Sequence, residues 1–491
     1  MPSSDILSLK KINEVYLKAE AEPHILRELS DYFTFEVPNA KFMPQYRAGT
    51  WDGKLRLLSY RDRTIYTGLV SHIKEFCDAR EYVLDYEIEA DNNFSLYEAS
   101  QFIESLDIPS RYTPHDYQVD AFVAAIRRRR MLLLSPTGSG KSLIIYMLIR
   151  YCIQHEHGKH LIIVPNISLV AQMKKDFADY GFDAKLVHEI MAGREKDTEN
   201  PVVISTWQSL YKMPKGYFDQ FASIIVDECH GVKSKSLTSI MTKTPNIRYR
   251  YGTTGTLDGT LTNKLVIEGL LGEVRKVTET KKLIDDNILS DFMVKAIVLK
   301  HERGIKANTK YQEEIDYLIS CEERNNFIKN LVIGLEGNTL VLFNYVEKHG
   351  IPLFGMIKKE CHADRKVFFV YGGTELEQRE DVRKIVEEED DAIIVASHGV
   401  FSQGVNIKQL NNIVFTHPGK SRIRTLQSIG RALRKTKKND MAILYDIVDD
   451  LSGGKKYKNF AIKHFQERFS IYKKEKFKVK NYIVDLKIKK G

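Results

Sequence analysis

Eight consecutive residues, 135–142 (SPTGSGKS), carry two glycines, a lysine and a hydroxyl at the spacing that cradles a polyphosphate. Gly138 and Gly140 let the backbone curl so that its N–H groups turn inward on phosphate oxygens, and Pro136, Thr137 and Ser139 complete the loop. Lys141 is spaced for the β- and γ-phosphates of ATP, and Ser142 for the Mg2+ that travels with them. Ser135 stands where the strict pattern has its first glycine. A second group, Asp227-Glu228-Cys229-His230, follows the short apolar run 223–226. An acid at the end of a parallel strand lies on the ligand-binding edge of its sheet. Asp227 is expected in the Mg2+ shell, Glu228 to orient or deprotonate the attacking water, and His230 to relay nucleotide state to Thr254-Gly255-Thr256. "DECH" alone is a weak signal; downstream of a P-loop it is a strong one.

Such groups work only if a strand delivers the chain to the loop and a helix leaves it. Residues 131–134 (MLLL) supply the strand and the apolar run after Ser142 the helix. Further apolar runs at 161–164, 202–204 and 224–226 alternate with helical patterns, as in a doubly wound parallel α/β domain. The alternation repeats at 339–343, 367–371, 392–396, 412–416 and 442–445 without a second P-loop. The expected organisation is a small α+β N-terminal domain (1–103), two tandem α/β domains (104–280 and 281–450), and a basic C-terminal segment (451–491). A P-loop domain followed by a twin without one fits ATP held between them, with the twin supplying a cation. The stretch "LQSIGRALRK" offers Gln427, Gly430, Arg431 and Arg434. The two arginines, three apart, share a helix face and are candidate arginine fingers.

The 491 residues are 43% hydrophobic and 28% charged, and no run of eighteen apolar residues occurs, which excludes an apolar membrane span. The N-terminus lacks the form of a signal peptide, and five scattered cysteines without a C-x-x-C pair argue against zinc and disulfides. A reducing cytoplasm is the expected location. The net charge is +9, and residues 452–491 carry 13 Lys+Arg against 3 Asp+Glu, so the excess lies there. Aromatics interleave these lysines. Two readings stand: a nucleic-acid grip, or a helix packing its aromatic stripe on the core.

In order along the chain, these motifs resemble a superfamily 2 helicase core with RecA-like domains, and over nearly the full length the chain resembles the phage UvsW-type DNA helicases. "HDYQ" with Gln118 is similar to the adenine-reading segment. "VPNISLVAQ" and "STWQSL" resemble the strand-gripping motifs of the first domain. "LVLFNYVEKHG", "VYGGTELEQR" and "ASHGVFSQGVNIK" resemble motifs of the second. Small non-glycine residues at the place of Ser135 are common in helicase P-loops. The resemblance implies nucleotide contacts for Gly404 and Asn406, with Asn406 standing where many relatives have Asp. It also implies phosphate contacts for Ser168, Thr206 and Ser397. "FMPQYRAGTWDGKLRLL" looks like the accessory domain of the UvsW type, which gives Arg47, Lys54 and Arg56 a nucleic-acid role. The implied partners are single-stranded and branched duplex DNA, RNA–DNA hybrid, and single-stranded DNA-binding or recombination proteins; no membrane partner is implied. An RNA-directed helicase, a translocating restriction subunit and a non-catalytic scaffold are the alternatives.

Overall fold

The computed structural model describes residues 5–86, 93–191, 195–231, 234–257, 261–302, 305–306, 309–403, 410–419, 441–453 and 457–487. The chain divides into two compact units: Met1–Ser135 with Gly140–Thr278, and Glu279–Gly491 together with Pro136–Ser139.

The first unit opens with a small domain. Strands β1 (Ile6–Lys11), β2 (Tyr16–Glu20), β5 (Thr64–Tyr66) and β6 (Val83–Asp85) form a sheet in the order β5-β2-β1-β6, and β3 (Thr34–Glu36) pairs with β4 (Lys54–Arg56) in a separate antiparallel ribbon. There follow β7 (Arg130–Leu134), β8 (Lys159–Val164), β9 (Val187–Ile190), β10 (Val202–Thr206), β11 (Phe221–Val226), β12 (Tyr249–Thr254) and β13 (Val274–Lys276). These seven make a parallel sheet in the order β13-β7-β12-β11-β8-β10-β9.

Successive side chains of a strand point to opposite faces, and both faces of this sheet are covered. Leu132, Leu161, Ile163, Ile224 and Val226 belong to one buried cluster. Leu133, Ile162, Val164 and Ile225 belong to the other, with helices Asp116–Arg128 and Lys141–His155. This two-sided burial explains why the strands read as unbroken apolar runs.

The first cluster also contains Leu7, Leu17, Ile25, Leu29, Ile65, Ile73 and Phe76, so the small N-terminal domain and one face of the sheet share a core. Polar contacts close the seam. Arg130 Nη2 donates to the Glu14 carboxylate at 2.7 Å, and His72 Nε2 lies 2.6 Å from Glu268 Oε2. A side chain at Gly68 would place its Cβ 2.1 Å from the Glu268 carbonyl oxygen, so the close approach requires glycine. The run of four arginines, 127–130, is largely absorbed here: Arg127 donates to the Phe94 carbonyl and Arg128 pairs with Glu273.

The second unit is built on β14 (Asp291–His301), β15 (Thr339–Phe343), β16 (Val367–Val370), β17 (Ile393–Ser397), β18 (Asn412–Phe415), β19 (Met441–Asp450) and β20 (Lys478–Leu486). They form a second parallel sheet in the order β16-β17-β15-β18-β19-β14-β20. Strand β20 lies inside the basic C-terminal segment and pairs with β14 at the sheet edge, a strand that neither reading of the segment included. The helix Phe460–Lys474 buries Arg468 and Tyr472. Arg468 holds Asp446 through Nη2–Oδ1 at 2.7 Å and Nε–Oδ2 at 2.9 Å, and Tyr472 donates to the same carboxylate at 2.8 Å. The helix of this segment therefore packs on the core of the second unit. Tyr472 and Phe477 are buried, Phe465 and Phe469 are half-buried, and the lysines at 458, 463, 473, 474, 476, 478 and 480 are exposed. Among the described residues no helix is long and apolar enough to cross a membrane.

Candidate nucleotide and nucleic-acid sites

All strands of the seven-stranded sheet of the first unit run the same way, so every loop leaving a strand's C-terminal end opens on one edge. The strand order then sorts the chemistry. The P-loop follows β7, the Thr254-Gly255-Thr256 turn follows its neighbour β12, and the acids follow β11. Beyond them, β8 and β10 lead to Asn166 and Thr206.

In the P-loop, Gly138 (φ 86) and Gly140 (φ 75) occupy left-handed backbone, which glycine adopts without a Cβ clash. Ser139 donates through both its N–H and its hydroxyl to the Pro136 carbonyl, at 3.2 and 2.6 Å, closing the turn. Thr137 lies within it. Gly140 caps the helix Lys141–His155, whose first N–H groups and dipole face the loop. Gln118 is buried beside it: its Nε2 donates to the Gly140 carbonyl at 3.4 Å, and its Oε1 accepts from His115 N–H at 2.8 Å. A Cβ at residue 140 would sit 2.3 Å from that amide nitrogen. The amide expected to read adenine thus also braces the loop.

Lys141 Nζ lies 2.7 Å from Glu228 Oε1. Glu228 has φ 45, a left-handed conformation uncommon for a residue with a side chain, and such strain gathers at functional sites. Burial opposes ionisation of Glu228, but Lys141 and His230 outweigh it and hold its pKa below the ordinary value. Asp227, the next carboxylate, is pushed the other way, by burial first and then by the Glu228 charge. Its Oδ1 accepts from Thr253 Oγ1 at 2.5 Å and from Glu228 N–H at 2.9 Å. His230 Nδ1 contacts both Thr254 Oγ1 and, at 3.3 Å, Glu228 Oε2, and Gly255 N–H donates to Glu228 Oε2 at 3.4 Å. The acid group and the Thr-Gly-Thr turn are therefore one hydrogen-bonded unit.

The donor set suits a polyphosphate with a hard divalent cation. It comprises an ammonium, loop N–H groups, a serine hydroxyl and a carboxylate, and oxygen ligands of that kind bind Mg2+. Ser142 and Asp227 are the residues that would hold the cation.

Ser168 lies in the first turn of the helix Ile167–Asp179, where the Asn166 side chain accepts from Leu169 N–H at 3.0 Å. Thr206 ends β10, buried, with its hydroxyl 3.2 Å from Ser209 Oγ. In the second unit Ser397 ends β17 and is buried. Gly404, Asn406, Gln427, Gly430, Arg431 and Arg434 lie outside the described residues.

In the N-terminal domain, residues 41–50 are all exposed. Phe42 (60%), Met43 (40%) and Tyr46 (43%) expose large apolar surface beside Lys41 and Arg47, with Tyr60, Arg61 and Arg63 exposed nearby in the chain. Arg56 is held by Asp52 through two hydrogen bonds of 2.5 and 3.2 Å, and Lys54 is exposed. Trp51 is half-buried, its indole N–H on the Lys54 carbonyl at 2.9 Å. Phe42 and Met43 escape a reading by charge alone; their signal was apolar residues inside a basic, turn-rich stretch. Tyr180, whose phenol meets Ser142, carried no sequence signal.

Two parallel α/β sheets, one with a P-loop coupled to an acidic box, are the frame of a P-loop nucleoside triphosphatase, and the relatives of this chain make it an ATP-dependent helicase of superfamily 2. Residues 7–90 match the family model "DNA helicase UvsW, N-terminal", residues 111–258 "Type III restriction enzyme, res subunit", and residues 323–436 "Helicase conserved C-terminal domain". The chain is 36% identical to the ATP-dependent DNA helicase uvsW of Enterobacteria phage T4, over 96% of this chain and 97% of that protein. It is 26% identical to the DNA 3'-5' translocase XPB2 of Sulfurisphaera tokodaii, over 76% and 89%. The crystal structure of T4 UvsW matches with TM-score 0.52 and 33% identity over 98% of this chain and 100% of that one. The chain belongs to the UvsW family of helicases. It binds nucleic acid and uses nucleotide.

Proposed function

We propose that this protein uses ATP with Mg2+ to move along one DNA strand, 3′ to 5′, and so unwinds forks, four-way junctions and R-loops in phage recombination, repair and replication in the host cytoplasm. The observation that carries the reading is the exposed aromatic and basic stretch 41–50, on a domain that shares its core with the P-loop sheet. Basic side chains grip phosphates without reading sequence, and exposed rings stack on unpaired bases at a branch. The relative in Sulfurisphaera tokodaii, a DNA 3'-5' translocase, supports the polarity.

Bound Mg2+ supplies positive charge to the phosphates and lowers the barrier to attack on the γ-phosphate. Lys141 adds charge to the β- and γ-phosphates. Glu228 orients the attacking water and takes its proton, and Asp227 and Ser142 hold the cation. Arg431 and Arg434 are assigned to the γ-phosphate from their motif. His230 carries the state of Glu228 to Thr254, and Ser168, Thr206 and Ser397 hold strand phosphates. ATP-dependent unwinding of forks, four-way junctions, R-loops, RNA duplexes and plain DNA duplexes tests the proposal. Preference for the branched DNAs is expected; equal or better unwinding of RNA duplexes would overturn it.

A further inference from the structure

The Ser142 hydroxyl lies 2.8 Å from the phenol oxygen of Tyr180. Tyr180 closes the helix Ile167–Asp179 and is 7% exposed. Its N–H is pinned to the carbonyls of Asp176 and Phe177, at 3.0 and 3.2 Å. Its ring is wedged edge-on against Tyr112, with centroids 5.0 Å apart, and lies tilted against Tyr146 at 5.3 Å. Tyr146 lies four residues after Ser142 on the P-loop helix, so both face the same side. The phenol therefore has little freedom to leave Ser142.

A serine hydroxyl has one proton and two lone pairs. When a lone pair binds a cation, the proton must point to an acceptor on another side. We infer that Tyr180 is a positioning residue for the cation ligand Ser142: its phenol oxygen accepts the Ser142 proton and so turns the lone pairs of Oγ toward Mg2+. This inference rests on the reading that Ser142 binds Mg2+.

Tyr180→Phe keeps the ring and removes the acceptor. The probe is a fluorescent ADP, bound at equilibrium to the full chain across a Mg2+ titration and, separately, in EDTA. The Mg2+ midpoint should rise roughly threefold to tenfold, the worth of one hydrogen bond, with affinity in EDTA unchanged and a cooperative melting transition retained. In a Ser142→Ala background the same change should add nothing. An unchanged midpoint, an equal loss in EDTA, or a loss additive with Ser142→Ala would each overturn the inference. Absence of any Mg2+ dependence in the parent protein would overturn the cation reading itself, so the two failures are separable.

Discussion

Lys141 and Glu228 form an ion pair of 2.7 Å between the P-loop helix and the turn after β11. The Lys141 ammonium therefore helps to hold the Glu228 carboxyl ionised. Lys141→Ala is expected to abolish ATP turnover, because it removes the phosphate cation and lets burial raise the pKa of Glu228. Glu228→Gln should lower turnover by at least ~10²-fold while retaining nucleotide binding. Single-stranded DNA binding without ATP should survive both. Steady-state hydrolysis alongside nucleotide titration checks this, and normal turnover in either variant would remove the assignment.

The N-terminal stretch must be tested by substitution rather than by truncation. Removing residues 1–103 would strip Leu7, Ile25, Ile65 and Phe76 from a core that includes Leu132 and Val226, so the shortened chain should aggregate. Phe42→Ala, Tyr46→Ala and Arg47→Ala alter exposed side chains only. Fork affinity should fall, with the salt slope of the Arg47 variant flattening by about 0.9 for a lost duplex phosphate contact. Hydrolysis stimulated by single-stranded DNA should persist. Parent-like fork binding in all three variants, at matched salt, would end the accessory-domain reading.

Arg468 makes the C-terminal segment a folding element. Arg468→Ala leaves the buried Asp446 carboxylate without its cation and should cost about 3–5 kcal/mol of stability. Deleting 455–491 also removes β20 and should prevent folding of the second unit. Lys473→Gln with Lys474→Gln removes exposed charge alone, so any loss of DNA affinity there reports phosphate contact. Chemical unfolding and binding isotherms separate the two roles.

His72 joins the two parts of the first unit through Glu268, and the Glu268 hydrogen bond raises its pKa above the ordinary 6.5. A histidine raised in the folded state stabilises fully below its unfolded pKa and loses that contribution as pH climbs through the folded value. The parent should therefore melt higher than His72→Gln near pH 6, and the difference should shrink as pH rises above the raised pKa. A constant difference across that range would contradict the linkage.

Arg431→Ala should reduce ATP turnover by ~10³-fold or more with a smaller change in nucleotide affinity, since a finger acts on transition-state charge. Arg434→Ala should be similar or milder. Parent-like turnover in both would exclude them.

The local chemistry was legible in the sequence because it is local. A P-loop needs glycines at 138 and 140 and a helix beginning at Lys141, all within a dozen residues. Strands buried on both faces are continuous apolar runs, so β7, β8, β10 and β11 stood out, as did most of the second sheet. Other strands did not: Tyr249–Thr254 carries Arg250, whose guanidinium is buried against the carbonyls of Met241, Thr244 and Leu270. Nor did the lysine-rich β20 stand out, because an edge strand buries little and its composition reads as solvated. Distant partners were decided by tertiary structure alone. Sequence spacing cannot say that Ser142 meets Tyr180, or that Glu14 meets Arg130. Nor can it say that the N-terminal domain completes the core beneath Leu132. Those contacts depend on which sheet face each alternating side chain takes and on what the chain brings back to cover it, and both are settled only when the whole core packs.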